Sequence, residues 1–287
     1  MANSKMRRTL EAGGMVVAPG AYDVPTARLM QSIGFEYLYV GGNQSGVVMG
    51  IPEPFETVTL MADIGRTVAR ACREELPVIL DASAGFGEPV HVMYTVESME
   101  AAGVTAIHIE DQFFPKRVSY HRGLEHVVPI DVYQQRIEYA LKARKSRDFL
   151  IIARTDGARA TADTWLPEGG SREEAVRRAH AARELGVDAL MILGKFSRDD
   201  FAYLRSQVKD IPLVGLISSH AHTVLSVEEF RNLGYQIILF NRTTIVASLN
   251  AVNGLYRHLM KEGRPPGPAS PGQDAMENRI VDALVSK

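Results

Sequence analysis

Eight short apolar runs, spread along 287 residues, constrain this chain more than any other feature. They are Met15–Ala18, Tyr37–Val40, Pro77–Leu80, Ala106–Ile109, Phe149–Ala153, Ala189–Leu193, Pro212–Ile217 and Gln236–Phe240. Most are nearly continuous in apolarity, as strands buried on both faces should be. Helical patterns fill the intervals. Pro54 to Arg73 sets Val58, Met61, Ala62, Gly65, Val68, Ala69 and Cys72 on one stripe. Ser171 and Glu174 have capping-box spacing at the head of a helix that stops before Gly186. Asp131 is placed to cap another helix with Tyr133, Ile137, Ala140 and Leu141 inward, and Thr243 to Met260 makes the eighth. Strand–helix alternation implies right-handed parallel βαβ units. Eight units in about 250 residues predict a closed (β/α)8 TIM barrel. An open doubly wound sheet would call for a Gly-x-Gly-x-x-Gly turn after an early strand, and the chain has none.

Composition narrows the function classes. Lys and Arg total 32 against 34 Asp and Glu, so the chain lacks the broad basic footprint of a nucleic-acid binder. The single cysteine excludes an internal disulfide and a multi-thiolate zinc site. No window reaches the roughly 18 apolar residues that would span a membrane. MANSKMRRTLEAGG carries charge but no apolar core behind it, so it does not read as a signal peptide. A cytoplasmic protein is expected, without membrane or nucleic-acid partners. The barrel is assigned to residues 1–260. A Pro-rich linker from Lys261 to Gln273 and a helix from Asp274 to Ser286 form the tail, 261–287, which has too few apolar residues for a second domain.

Barrel active sites form where strands end at their C-terminal side. The residues there are Tyr22 and Asp23, Gly41, Gly42 and Asn43, Asp81 and Ser83, and Glu110, Asp111 and Gln112. Arg154, Thr155 and Asp156 follow, then Lys195, Ser218 to His220, and Asn241 with Arg242. Asp81 and Glu110 leave adjacent strands, so their hard oxygens can share Mg2+ or Mn2+, or else pair with Arg154 as part of the rim. Arg154 is equally suited to clamp a carboxylate or to close a salt bridge with Glu110 or Asp156. The Gly41–Asn43 turn can offer backbone N–H groups to an anion.

About twenty residues, Asp111 to Ile130, separate strand four from its helix, where two to six are usual. This cationic and aromatic segment reads as a lid over an anionic substrate, or as an oligomer contact. His121, His126, His220 and His222 are acid–base candidates by residue type only. Cys72 reads as a packing residue on its helix stripe. No Gly-x-Ser-x-Gly elbow or Walker A sequence occurs.

The ordered segments GAYD (20–23), YVGG (39–42), DASAGFG (81–87), IHIEDQ (107–112), FPKR (114–117) and IARTD (152–156) resemble the isocitrate lyase/phosphoenolpyruvate mutase superfamily. The resemblance extends to about Met260. It implies a Mg2+-binding barrel, usually tetrameric with a C-terminal helix swapped between subunits. Members make or break C–C or C–P bonds beside a 2-oxo or 2-hydroxy acid through a metal-bound enolate. By position, Asp81 and Glu110 match the metal carboxylates, Ser83 stands where a second aspartate is usual, and Glu53 falls where the family generally has an aspartate near the metal. Tyr39, Gly41, Gly42 and Asn43 match the substrate-anion loop, and Arg154 matches the clamping arginine. Tyr39, Arg154 and Lys116 are thus the candidate catalytic residues. Gly41, Gly42, Asn43, Arg154 and Asn241 are the candidate substrate contacts, and Asp81, Glu110, Ser83 and Glu53 the metal set.

The departures are chemical. The isocitrate-type lyases carry Lys-Lys-Cys-Gly-His in the lid, whereas residues 116–120 here are Lys-Arg-Val-Ser-Tyr. The mutase-type asparagine is absent at Val118, and Leu193-Gly194 replaces a glutamate, as in the oxaloacetate decarboxylase branch. Losing a positioned proton donor costs about 10²–10⁴-fold, which disfavours cleavage to a carboxylate carbanion. Decarboxylation asks less, since CO2 departs and water or a tyrosine can protonate the enolate. The expected activity is a Mg2+-dependent lyase of small 2-oxo or 2-hydroxy dicarboxylates, with oxaloacetate decarboxylation leading. The alternatives are a phosphonate C–P enzyme and a metabolite-binding barrel without catalysis.

Overall fold

In the computed structural model, which describes residues 2–116, 125–218, 225–266, 281, 282 and 285, every one of the eight apolar runs forms a strand. They are β1 (Val16–Pro19), β2 (Leu38–Val40), β3 (Val78–Asp81) and β4 (Ala106–Glu110). β5 (Leu150–Thr155), β6 (Ala189–Ile192), β7 (Leu213–Ile217) and β8 (Ile237–Phe240) complete the set. All pair in parallel in the order β1-β8-β7-β6-β5-β4-β3-β2. The Ala21 N–H donates to the Tyr39 carbonyl at 2.8 Å, which draws β1 beside β2 and nearly closes the ring. The architecture is the (β/α)8 barrel.

Strand residues alternate between two cores. Val16, Ala18, Tyr39, Ile79, Ala106, Ile152, Met191, Val214, Ile237 and Leu239 fill the lumen, and Met6 and Leu10 of α1 (Ala2–Glu11) floor it. Leu38, Val40, Val78, Leu80, Ile107, Ile109, Ile151 and Ala153 face outward into the helical layer. Because the side-chain period of a strand is two, Asp81 shares the inward face with Ile79. His108 and Glu110 share it with Ala106, Arg154 with Ile152, and Asn241 with Leu239. The site therefore sits directly on the apolar plug.

The helices are α2 (Val24–Ile33), α3 (Gly42–Met49), α4 (Val58–Ala71), α5 (Pro89–Ala101) and α6 (Ile130–Ala143). α7 (Arg172–Glu184), α8 (Arg198–Gln207), α9 (Val227–Asn232) and α10 (Thr243–Glu262) follow. Five local expectations change or sharpen. The helix expected from Pro54 starts at Val58, because Thr57 accepts the Leu60 N–H as its N-cap and Glu53–Phe55 forms a 3-10 turn. Asp131 lies inside the first turn of α6 and does not cap it; Pro129 is at the cap. Ser171 caps α7 by accepting from the Glu174 N–H, but the Glu174 carboxylate pairs with Arg177 and Arg178 instead of reaching back. Asp23, expected on the rim, is the N-cap of α2 and accepts from the Thr26 N–H at 2.8 Å. α10 runs two residues beyond Met260 before Gly263 ends it in the left-handed region. Residues 267–280, and with them most of the predicted tail helix, lie outside the described residues.

Candidate active site

β3 and β4 end on Asp81 and Glu110, and Arg154 is the last residue but one of β5, so sheet pairing alone brings two acids and a guanidinium to one rim. Asp81 is fixed from both sides. Its Oδ1 accepts from the Ser83 N–H at 2.8 Å and its Oδ2 from the Gly42 N–H at 3.3 Å. Ser83 is in the left-handed region at φ 49°, and its carbonyl accepts from the Glu110 N–H. It thus contributes its backbone to the orientation of both acids. Burial opposes ionisation of Asp81, but Lys116, His108, Arg154 and the Ser83 N–H outweigh it and hold the carboxyl well below the usual range.

Lys116 lies at the centre of the acids. Its Nζ is 2.5 Å from Glu53 Oε1, 3.3 Å from Glu110 Oε2 and 3.8 Å from Asp81 Oδ2, with the side chain buried. Burial alone would depress this ammonium; the three carboxylates raise it instead. Arg154 is equally enclosed. Its NH1 stands 2.8 Å from Glu110 Oε2 and 3.6 Å from Asp81 Oδ2, while Nε and NH2 donate to Asp156 at 3.0 and 3.2 Å. Both salt bridges considered from sequence are therefore present. Asp156 is held in turn by Arg159, and its N–H donates to Asp111, which also accepts from the Thr155 hydroxyl. Arg178 closes that layer at 3.3 Å from Asp111.

The glycines of the expected anion loop are the start of a helix. Gly41 is the N-cap of α3, and Gly42 is its first residue. A Cβ on Gly42 would lie 2.8 Å from Glu53 Oε1 and 3.2 Å from Asp81 Oδ2, so glycine lets these acids approach without shifting their carboxylates. A Cβ on Gly41 would lie 2.9 Å from Asn241 Oδ1, which places the β8 exit against this loop. The oxygens Asn43 Oδ1 and Asn241 Oδ1 are buried without hydrogen-bond partners.

Three buried polar groups near the site escaped the sequence reading. Tyr39 shares a 3.1 Å hydrogen bond with His108 Nε2, and burial depresses His108 to about 4, so its imidazole is neutral. The signal for His108 was its place two residues before Glu110, on the same strand face. Glu56 is pushed up to about 10 by burial and by Glu53 and Asp81. Arg136 of α6 donates to the Glu110 and Gln112 carbonyls and braces the end of β4. Of the other candidates, Cys72 is a buried packing residue whose thiol is pushed up to about 11 by burial. The His126 carbonyl accepts from the Phe113 N–H where the long loop returns to the barrel. Arg117, His121, His220 and His222 lie outside the described residues.

The donors fit a hard divalent cation in kind. Glu53, Glu56, Asp81 and Glu110 outnumber Lys116 and Arg154, and the latter is shared with Asp156. Glu110 Oε1 is wholly buried without a hydrogen-bond partner, and Oε2 meets only the ion pairs with Arg154 and Lys116. Among the described residues no three His, Cys, Asp or Glu side chains converge on one point. That is compatible with Mg2+, which is commonly held by one or two carboxylates and completes its shell with water.

Comparison with known proteins identifies the family. The family described as phosphoenolpyruvate phosphomutase matches residues 6–260. The chain is 36% identical to the 2-methylisocitrate lyase of Aeropyrum pernix over 260 residues, covering 90% of this chain and 80% of that one. The crystal structure of an oxaloacetate acetylhydrolase superposes with a TM-score of 0.85 at 28% identity, covering 99% and 94% of the two chains. A phosphonopyruvate hydrolase in complex with oxalate and Mg2+ superposes with a TM-score of 0.80 at 27% identity, over the full length of both. A barrel whose β3, β4 and β5 present two acids and an arginine at one rim, matched in this way along most of its length, belongs to the phosphoenolpyruvate phosphomutase family of the isocitrate lyase/phosphoenolpyruvate mutase superfamily.

Proposed function

We propose that this chain is a Mg2+-dependent lyase of a small 2-oxo or 2-hydroxy dicarboxylate, with oxaloacetate the leading substrate. One observation carries the reading. Arg154 is locked along one edge by Asp156 and turns NH1 toward Asp81 and Glu110, so a carboxylate clamp stands beside the two candidate metal carboxylates. The similar oxaloacetate acetylhydrolase and the oxalate–Mg2+ complex of the phosphonopyruvate hydrolase support the substrate class and the metal.

Asp81 and Glu110 would hold the cation, directly or through water, with Glu53 at its edge. When bound, the ion supplies charge stabilisation for an enolate. Arg154 binds the carboxylate next to the reacting carbonyl, and Lys116 neutralises the negative charge gathered around it. Asn43 and Asn241 offer side-chain amides to the remote carboxylate, beside the start of α3, whose first N–H is held by Asp81. The buried mouth limits competing water. Protonation of the enolate carbon falls to Tyr39 or to a water molecule.

The test is steady-state turnover with Mg2+ of oxaloacetate, 2-alkylmalates, methylisocitrate and phosphonopyruvate. Oxaloacetate is expected to turn over, and chelation by EDTA to abolish the rate. Separating pyruvate plus CO2 from oxalate plus acetate then fixes the bond broken. Phosphorus NMR showing inorganic phosphate from phosphonopyruvate would favour the C–P reading, which the superposition on a phosphonopyruvate hydrolase keeps in play. No metal-dependent turnover of any of them sinks the proposal. We propose likewise that the chain forms a tetramer and acts in the cytoplasm. Among the described residues no helix is long and apolar enough to cross a membrane.

A further inference from the structure

The lumen-facing residues divide the mouth of the barrel by polarity. Asp81, His108, Glu110 and Arg154 line it from β3 to β5. On β6 and β7 the same face carries Ala189, Met191 and Leu193, then Val214 and Leu216, and none of these side chains has an N–H or O–H group. Leu193 continues the ladder just past β6, because its N–H donates to the Thr155 carbonyl at 2.9 Å. Leu216 pairs with Leu239 in the β7–β8 register. Both pack on the lumen core yet stay half-buried, so each turns part of its side chain toward the mouth. With β1 drawn beside β2, β7 is four strands from β3 in either direction, and β6 is four from β2. The leucines therefore stand across the mouth from the strands of Asp81 and Tyr39.

A stack of rings backs them. A Cβ on Gly194 would run into the Phe196 ring, and one on Gly215 would lie 2.8 Å from the Phe230 ring, so both rings press on bare backbone. Phe201 joins the two, its centroid 5.6 Å from that of Phe196 and 5.0 Å from that of Phe230. The apolar wall is thus held in place from behind, as a selective contact requires.

We propose that Leu193 and Leu216 are specificity-determining residues, and that the substrate carries on C3 an alkyl group that packs against them. The inference rests on the lyase reading above and narrows its substrate. With one carboxylate on Arg154 and the other at Asn43 and Asn241, a C3 substituent is the part left to face β6 and β7. A methyl or ethyl group gains there, whereas a third carboxylate would be buried against leucine without a partner. A 3-alkyl-2-oxo dicarboxylate, or the matching 2-hydroxy acid, is preferred over oxaloacetate and over tricarboxylates.

Binding and turnover test separate parts of this. In the N-alkyloxamates the amide nitrogen stands for C3 of a 2-oxo acid, so its alkyl chain stands for the C3 substituent, and there is no C3–C4 bond to cleave. Calorimetry of oxamate and its N-methyl, N-ethyl and N-propyl derivatives, with the full-length chain in Mg2+, should show affinity rising about fourfold per added carbon. In Leu193→Asn and in Leu216→Asn the ratio of N-propyl to parent affinity should collapse toward one. A flat or falling series in the native chain, or no binding by any member, overturns the proposal, and so does a rise that survives both substitutions. Kinetics then compare oxaloacetate with its 3-methyl and 3-ethyl derivatives. The alkylated acids should have kcat/KM higher by about tenfold or more, the scale on which a hydrophobic pocket resolves one carbon. Equal or lower values overturn the proposal. Turnover of oxaloacetate beside a flat oxamate series removes the wall and leaves the lyase reading standing. If none of the three acids turns over, the lyase reading fails while the oxamate series still decides the wall. If an asparagine variant does not fold, the native series alone decides.

Discussion

Arg154 shows how the site is held. Nε and NH2 are occupied by Asp156 while NH1 reaches the two acids, 2.8 Å from Glu110 Oε2, and only a planar fork can do both at once. Arg154→Lys keeps the charge and loses the fork. It is expected to lower kcat/KM for oxaloacetate by about 10²-fold, the cost of a clamp displaced by about 1 Å, with unchanged circular dichroism. A loss of threefold or less would mean that the fork is not used. Glu56 gives a pH signature. Burial and the neighbouring acids hold its carboxyl at about 10 when folded, against 4.5 for an ordinary glutamate. Between those values the native state keeps a proton the unfolded chain has lost, so its contribution to stability falls as pH rises, by up to about 1.4 kcal/mol per pH unit. Glu56→Gln imitates the protonated acid and removes that slope. Urea unfolding in EDTA between about pH 6 and about pH 9 should therefore diverge in favour of Glu56→Gln as pH increases; parallel curves refute it. Asp81, Glu110 and Arg154 could be read from sequence because each stands out against an apolar run that it ends. His108 sits within such a run, where only its parity with Glu110 marks it. Glu56 is buried by a 3-10 turn that no periodicity announces.

At the level of elements, the strands were legible because burial on both faces demands apolarity, and all eight runs are strands within a residue or two. Their apolarity hid the alternation that separates lumen from helix layer, since both layers are apolar. α3 was not legible: GNQSGVVM has no helical stripe, and tertiary contact of Gly42 with the acids selects its sequence. Helix starts were readable where a hydroxyl cap stands alone, as at Ser171, and misread where proline fixes the entry, as before α6. The Ser171 cap has a consequence for the site, because α7 carries Arg178 to Asp111, behind Asp156. Ser171→Ala is expected to destabilise the protein by about 1 kcal/mol, the usual value of an N-cap. Urea unfolding measures it, and a change within error would show that Arg172–Glu174 hold the start of α7 without the hydroxyl.

At the scale of the whole molecule, the barrel leaves one helix unaccounted for. α10 is twenty residues long, yet only Ile245 is buried in it. Leu249, Val252, Tyr256 and Met260 follow at spacings of three and four, with Leu255 beside them, and all are exposed, Met260 by 88%. A continuous apolar stripe of this size on a rim helix is the usual mark of an interface between chains. It coincides with the place from which the tail departs. Assembly through α10 would cover the stripe without touching Asp81, Glu110 or Arg154, so association and the acid cluster can be separated by mutation. Leu249→Glu combined with Tyr256→Glu places two charges in the stripe. Light scattering should find the native chain at a multiple of its 31.6 kDa mass, and the double variant at a smaller one. A native monomer at micromolar concentration would refute the oligomer. An unchanged mass in the variant would move the interface to another face. If the variant dissociates yet retains Mg2+-dependent turnover of oxaloacetate, the eight-stranded ring alone builds the site, as the place of Asp81, Glu110 and Arg154 on β3, β4 and β5 implies.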